Sequence, residues 1–98
     1  MLVKIHKNQL GQEIIAVCDS DLIGKKFEEG NKQLDLTTDF YKGEEKTEGE
    51  IGDLMRNAYI VNLVGEKAIA LAVKENIIAE EHIIKIANIP IAQSQLVE

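Results

Sequence analysis

The chain has 98 residues, 45% of them hydrophobic, and a net charge of −6 at neutral pH. That length suits one small domain with a modest core, and the negative balance excludes a global basic field for nucleic acid or acidic membranes. A single cysteine, Cys18, excludes an internal disulfide and a cysteine-based zinc cluster, and no apolar run approaches the roughly 18 residues of a membrane span.

These features predict a cytoplasmic protein over residues 1–98 with no membrane partner. The lone thiol suits a reducing compartment, and MLVKIHK lacks the apolar core of a signal peptide. The charge is uneven. Residues 39–53 hold six acids and two lysines, a balance of −4, so a locally basic face elsewhere stays open.

Leu2 to Lys7 alternates loosely and reads as a strand, Asn8 to Gly11 as a turn, and Gln12 to Cys18 as a second, branched strand. The short loop predicts an antiparallel hairpin. Asp19-Ser20-Asp21 then predicts a helix start, with Leu22, Ile23 and Phe27 inward, Lys25 and Lys26 outward, and Gly30 as its stop. Lys32 to Thr37 follows as a third strand.

Thr47 and Glu50 have capping-box spacing, and Ile51, Leu54, Met55 and Ala58 share one helical face. Tyr59 to Val64 is the central strand. Gly65 breaks it, Glu66 to Glu75 is the third helix, and Asn76 is its C-terminal cap. A turn at Ala79 to His82 leads to a last strand, Ile83 to Ile86. The helix should join two parallel neighbouring strands in a right-handed βαβ unit. Asn88-Ile89-Pro90 forces an extended exit, and 91–98 shows no decisive pattern. The expected fold is a mixed α/β (α+β) domain, order ββαβαβ(turn)β, with the third helix inside the C-terminal βαβ unit. It has a mixed sheet of about five strands with three helices.

Four motifs carry a resemblance: CDSDLIGKKFEEG from Cys18, DFYKGE from Asp39, NLVGEKAIALA from Asn62 and IPIAQ from Ile89. Together and in order they resemble the archaeal DUF424 family, a domain family of unknown function. The resemblance spans nearly the whole chain. It implies an archaeal cytosolic protein linked to RNA or translation, and it supplies no catalytic residues. The family's ending carries His between Pro and Ala, where this chain has Ile91, so a role resting on that His is missing here.

The residues themselves offer several candidate sites. Cys18 precedes a predicted helix start, where a thiol pKa can fall, but the preferred reading is a small buried core residue. No spacing ties it to His6 or His82 as a base, so no catalytic residue is assigned. Gly24-Lys25 lacks the Gly and Ser/Thr positions of a phosphate loop. Asp19, Asp21 and Asp35 suit helix caps and turns better than a cation, so no metal and no cofactor is expected.

The Gly65 corner exposes free N–H groups at a helix start, which suits an anion, although Glu66 opposes one. Asn62 either bonds to that turn or joins a ligand there. Lys4, His6 and Lys7 on the first strand, Lys25, Lys26 and Lys32 further on, and Tyr41 for stacking make an RNA-contacting set if their surfaces adjoin. The leading expectation is therefore a non-catalytic binding module for RNA or a ribonucleoprotein. The alternatives are a small enzyme or anionic-ligand binder using Asn62, Gly65 and Cys18, and a protein–protein adaptor through residues 39–53.

Overall fold

The computed structural model describes residues 1–96. The domain is α+β, with a six-stranded mixed sheet, two helices and a separate two-stranded hairpin. β1 (Leu2–Lys7) and β2 (Glu13–Cys18) form the expected antiparallel pair, with Gly11 at φ +78° in the turn between them. A single 3-10 turn, Ser20–Leu22, follows β2. Next come β3 (Lys26–Glu29), β4 (Lys32–Asp35) and the short β5 (Glu44–Glu45). α1 (Glu48–Asn57), β6 (Ile60–Val64) and α2 (Glu66–Lys74) come next. A 3-10 turn, Glu80–His82, then leads into β7 (Ile84–Ile86) and β8 (Ile89–Gln95).

The predicted helix over residues 19–30 does not form. Gly24 sits at φ +83°, a left-handed conformation that interrupts a helix. Beyond it the chain is extended: Gly24 N donates to Leu36 O at 2.8 Å, and Leu36 N to Lys25 O at 2.8 Å. The β3–β4 ladder continues this pairing and turns at Gly30-Asn31. Gly-Asn between two short runs is a hairpin signal, and it outweighs the Ser20-Asp21 capping pattern.

α1 forms as its sequence predicts. Glu50 N donates to Thr47 Oγ1 at 3.2 Å and Thr47 N donates to Glu50 Oε1 at 3.1 Å, which closes the capping box. α2 ends before Asn76, whose φ of +58° is the left-handed exit conformation.

The main sheet runs β5-β1-β2-β6-β8-β7. β2 and β6 are parallel and interior. β7 runs parallel to β6, as a crossover through α2 requires, but the two are not neighbours. β8 inserts between them, antiparallel to both. The tail read as patternless is thus part of a strand as far as Gln95, while its last two residues, Val97 and Glu98, lie outside the described residues. Ala87 (φ +51°) and Asn88 (φ +66°) make the tight turn that reverses the chain, in place of a simple extended exit.

Strand alternation sends two residue sets to opposite faces. Val3, Ile15, Val17, Val61 and Leu63 face α1 and α2 and pack on Ile51, Met55, Ala68 and Ala72. Cys18, Val64 and Ile86 face the other way and are covered by the hairpin through Leu34, Leu36 and Phe27.

Candidate functional site

The registers arrange the second face of the sheet in rows. Leu2, Cys18, Val64, Ile91 and Ile84 form the first. Lys4, Ala16, Asn62 and Gln93 form the second, and His6, Ile14, Ile60 and Gln95 the third. The hairpin lies over the first row and the Ile86–Ile89 pair beyond it. No regular element covers the other two among the described residues.

The loop over residues 39–42 reaches back onto the β1 end of this face. Lys4 Nζ donates to Asp39 O at 2.8 Å, and His6 Nε2 lies 2.9 Å from Phe40 O. The His6 ring stacks on Phe40 at 4.5 Å between centroids, and Tyr41 meets Phe40 edge-on at 5.0 Å. This anchoring turns Tyr41 inward, where it packs against the cluster around Cys18 and Val64. Burial, with a smaller contribution from the nearby Cys18, pushes the Tyr41 hydroxyl up to about 12. It therefore remains a neutral donor across physiological pH.

Between this loop and the Glu80–His82 turn lies a cavity of about 340 Å³. Asn62, Gln93, Tyr41 and His82 supply its polar groups, and Leu34, Val64, Ile84 and Ile91 its apolar wall. Asn62 and Gln93 are direct cross-strand partners. Neither side chain bonds elsewhere among the described residues, so the expected local bond from Asn62 to the Gly65 turn is absent. Ile91 faces this same cavity. A second hollow of about 580 Å³ adjoins it and shares Gln93 and His82. It runs along the β8 edge at Gln93 to Gln95, where β7 has already ended.

The Gly65 corner is already occupied from within. Asp19 accepts from Lys67 N at 3.0 Å through Oδ2 and from Ala68 N at 2.8 Å through Oδ1. Its carboxylate is buried at the start of α2, where a ligand anion would sit. Gly65, at φ +109°, is required there, because a Cβ would overlap the Asp19 side chain. Asp19 thus caps α2, 48 residues away, rather than a helix of its own.

Cys18 is fully buried, and its thiol donates to Asp19 O at 3.3 Å. Burial first, then the charges of Asp19 and Asp21, push the thiol up to about 12. It is therefore a packed core group and not an activated nucleophile. No group of three His, Cys, Asp or Glu residues among those described is placed to hold a metal ion.

The lysines do not merge into one patch. Lys4, His6 and Lys7 lie on β1, whereas Lys26 and Lys32 lie on a hairpin packed against β7, with Lys25 just before β3. β1 and β7 are four strand spacings apart, roughly 19 Å. Lys25 lies just before β3 and Lys26 begins it, so neither is on a helix face. The hairpin lysines are also interleaved with acids: Lys26 pairs with Glu28 at 3.9 Å and stands opposite Asp35, and Lys32 stands opposite Glu29. Residues 39–53 are likewise divided: Asp39 pairs with Lys42 at 3.6 Å, and Arg56 pairs with Asp53.

Sequence reasoning missed Gln93 and considered His82 only as a base for Cys18. The alternation Ile91, Gln93, Gln95 was the available signal, because it places these three side chains on one face of a strand.

No helix among the described residues is long and apolar enough to cross a membrane. No curated protein matches the sequence. Among solved structures, an uncharacterized conserved protein from Methanopyrus kandleri is similar at 23% identity and a TM-score of 0.77. That match covers 94% of this chain and 87% of that one, and it supports the fold alone. A family model described as "Protein of unknown function (DUF424)" matches residues 6–96, nearly the whole length. The chain therefore belongs to the DUF424 family.

Proposed function

We propose that the protein is a non-catalytic binding module that takes single-stranded RNA, free or within a ribonucleoprotein, across the uncovered part of its sheet. One observation carries this reading, namely the division of charge. The segment 48–82, which contains both helices, holds seven acidic against three basic residues. The two rows of the second sheet face that the hairpin leaves uncovered contain Lys4 and His6 and no acid, the nearest being Glu45 opposite Leu2 in the first row. Phosphates favour the face without carboxylates, and unpaired bases stack on exposed rings such as Phe40. An archaeal, cytosolic and translation-linked setting belongs to the same proposal.

The enzyme and anion-binder readings lose support because Cys18 is sealed and the amides at Gly65 are taken. In the RNA reading, Lys4 meets phosphate; Lys7 lies on the other face of β1 opposite Glu13, and Lys26 and Lys32 contribute less because each stands opposite an acid in the hairpin.

Filter binding of host RNA at two salt concentrations tests this. The parent is expected to bind more weakly at the higher salt. Lys4→Glu should weaken binding by about fivefold or more, and both Lys7→Glu, on the other face, and Lys25→Glu with Lys26→Glu by less. Absence of binding to any host RNA would overturn the reading and favour a protein adaptor working through residues 39–53.

A further inference from the structure

We infer that the cavity between Tyr41, Asn62, His82 and Gln93 is a nucleobase pocket, in which the two carboxamides read the edge of an unpaired base. The base arrives either on an RNA strand, which rests on the function proposed above, or as a free nucleotide.

The lining chemistry narrows the ligand. The cavity has no Asp, Glu, Lys or Arg in its wall, so neither a phosphate nor a metal cation finds a countercharge there. Its volume of about 340 Å³ lies in the range of small-molecule sites. Val64, Ile84 and Ile91 supply apolar surface suited to the face of a flat ring.

The polar groups are spaced for a base. Asn62 and Gln93 are opposed across β6 and β8, which puts their Cβ atoms about 5 Å apart. Each carboxamide presents a donor and an acceptor side by side, the complement of a base edge. Neither has a partner among the described residues. Asn62 is half-buried, so its amide left without a partner costs free energy unless a ligand or water supplies the bond, whereas Gln93 is exposed and open to a ligand. Tyr41 adds a neutral hydroxyl and a ring on one side, and His82 a second ring on the other. The adjoining hollow along the free β8 edge gives a strand a way past the pocket.

The test uses the full chain, four single-stranded homopolymer RNAs and the four nucleoside monophosphates. Affinities are measured alongside the NMR side-chain amide signals of Asn62 and Gln93. The variants are Asn62→Ala and Gln93→Ala. Gln93 is exposed, so its variant should fold, and thermal unfolding confirms this for both. One base is expected to be preferred by about fivefold or more, with both amide signals shifting. Each variant should remove the preference while keeping the salt-dependent part of the affinity.

Equal affinity for all four homopolymers with unshifted amides would overturn the pocket and leave the RNA reading standing. Amide shifts with monophosphates, but no binding of any oligomer, would support a free-nucleotide pocket and overturn the RNA reading. No response to either probe would overturn both.

Discussion

The two faces of the sheet are finished differently. On one, α1 and α2 close over Val3, Ile15, Val17, Val61 and Leu63, with Ile51, Ala68 and Ala72 fully buried in the seam. On the other, a four-residue-strand hairpin covers the first row and the Ile86–Ile89 pair and leaves Asn62, Gln93 and His6 accessible or half-buried. The closed face buries apolar area and supplies stability. The open face keeps the half-buried Asn62 amide unpaired at some cost in stability, which is characteristic of surface retained for binding. Both faces are built from the same strands by alternation, so one strand such as β6 serves both purposes at successive residues.

The largest effects should come from the closed face. Leu63→Ala and Ile51→Ala each remove a fully packed side chain and are expected to cost about 2–5 kcal/mol in urea denaturation. Asn62→Ala, one residue before Leu63 on the opposite face, should stay within about 0.5 kcal/mol. Equal losses at positions 62 and 63 would erase the proposed distinction between the faces.

The hinge of the comparison is the Asp19–Gly65 corner, where the faces share a boundary. Gly65→Ala forces a Cβ into the Asp19 side chain at φ +109°, and a loss of roughly 3 kcal/mol is expected. Asp19→Ala leaves two N–H groups of α2 without their acceptor and should cost about 1–3 kcal/mol. A stability unaffected by either change would mean that the corner is not holding α2 to the sheet.

Alkaline pH sharpens the view of the hairpin-covered row. Cys18 and Tyr41 hold their protons to about 12 in the folded state, against 9.0 and 10.0 for the free groups. The unfolded chain therefore loses these protons first as pH rises. The stability they contribute is complete below about pH 9 and is lost as pH climbs from 9 to 12. Between pH 8 and 11 the expected loss is on the order of 3 kcal/mol. Cys18→Ala should flatten the lower part of that decline, and an unchanged slope would show that Cys18 ionises as readily folded as unfolded. By the same burial, Cys18 should react slowly with a thiol reagent until the protein is denatured.

The smallest effects belong to local caps and turns. Thr47→Ala opens the capping box of α1 and should cost about 1 kcal/mol. Ala87→Gly relieves a left-handed alanine in the β7–β8 turn and should stabilise by up to about 1 kcal/mol. Thermal unfolding of the two variants should shift in opposite directions.

Elements specified by neighbouring residues were legible in the chain alone. Thr47 and Glu50 announced α1, Gly65 and Asn76 bounded α2, and the short Asn8–Gly11 loop paired β1 with β2. Each depends on contacts within a few residues, so a local pattern carries the information. The stretch from Asp19 to Gly30 misled because Ser20 and Asp21 fit a helix start while the decisive partner, Leu36, lies beyond the segment. The strand status of Ile89–Gln95 was invisible for a related reason. Its polar half is held as a strand only by pairing with β6, about 30 residues earlier in the chain. The candidate pocket needed the tertiary structure altogether. Asn62, Gln93, Tyr41 and His82 come from four separate segments, and only the insertion of β8 beside β6 brings them to one cavity, because strand order is set by non-local pairing that no sequence window contains.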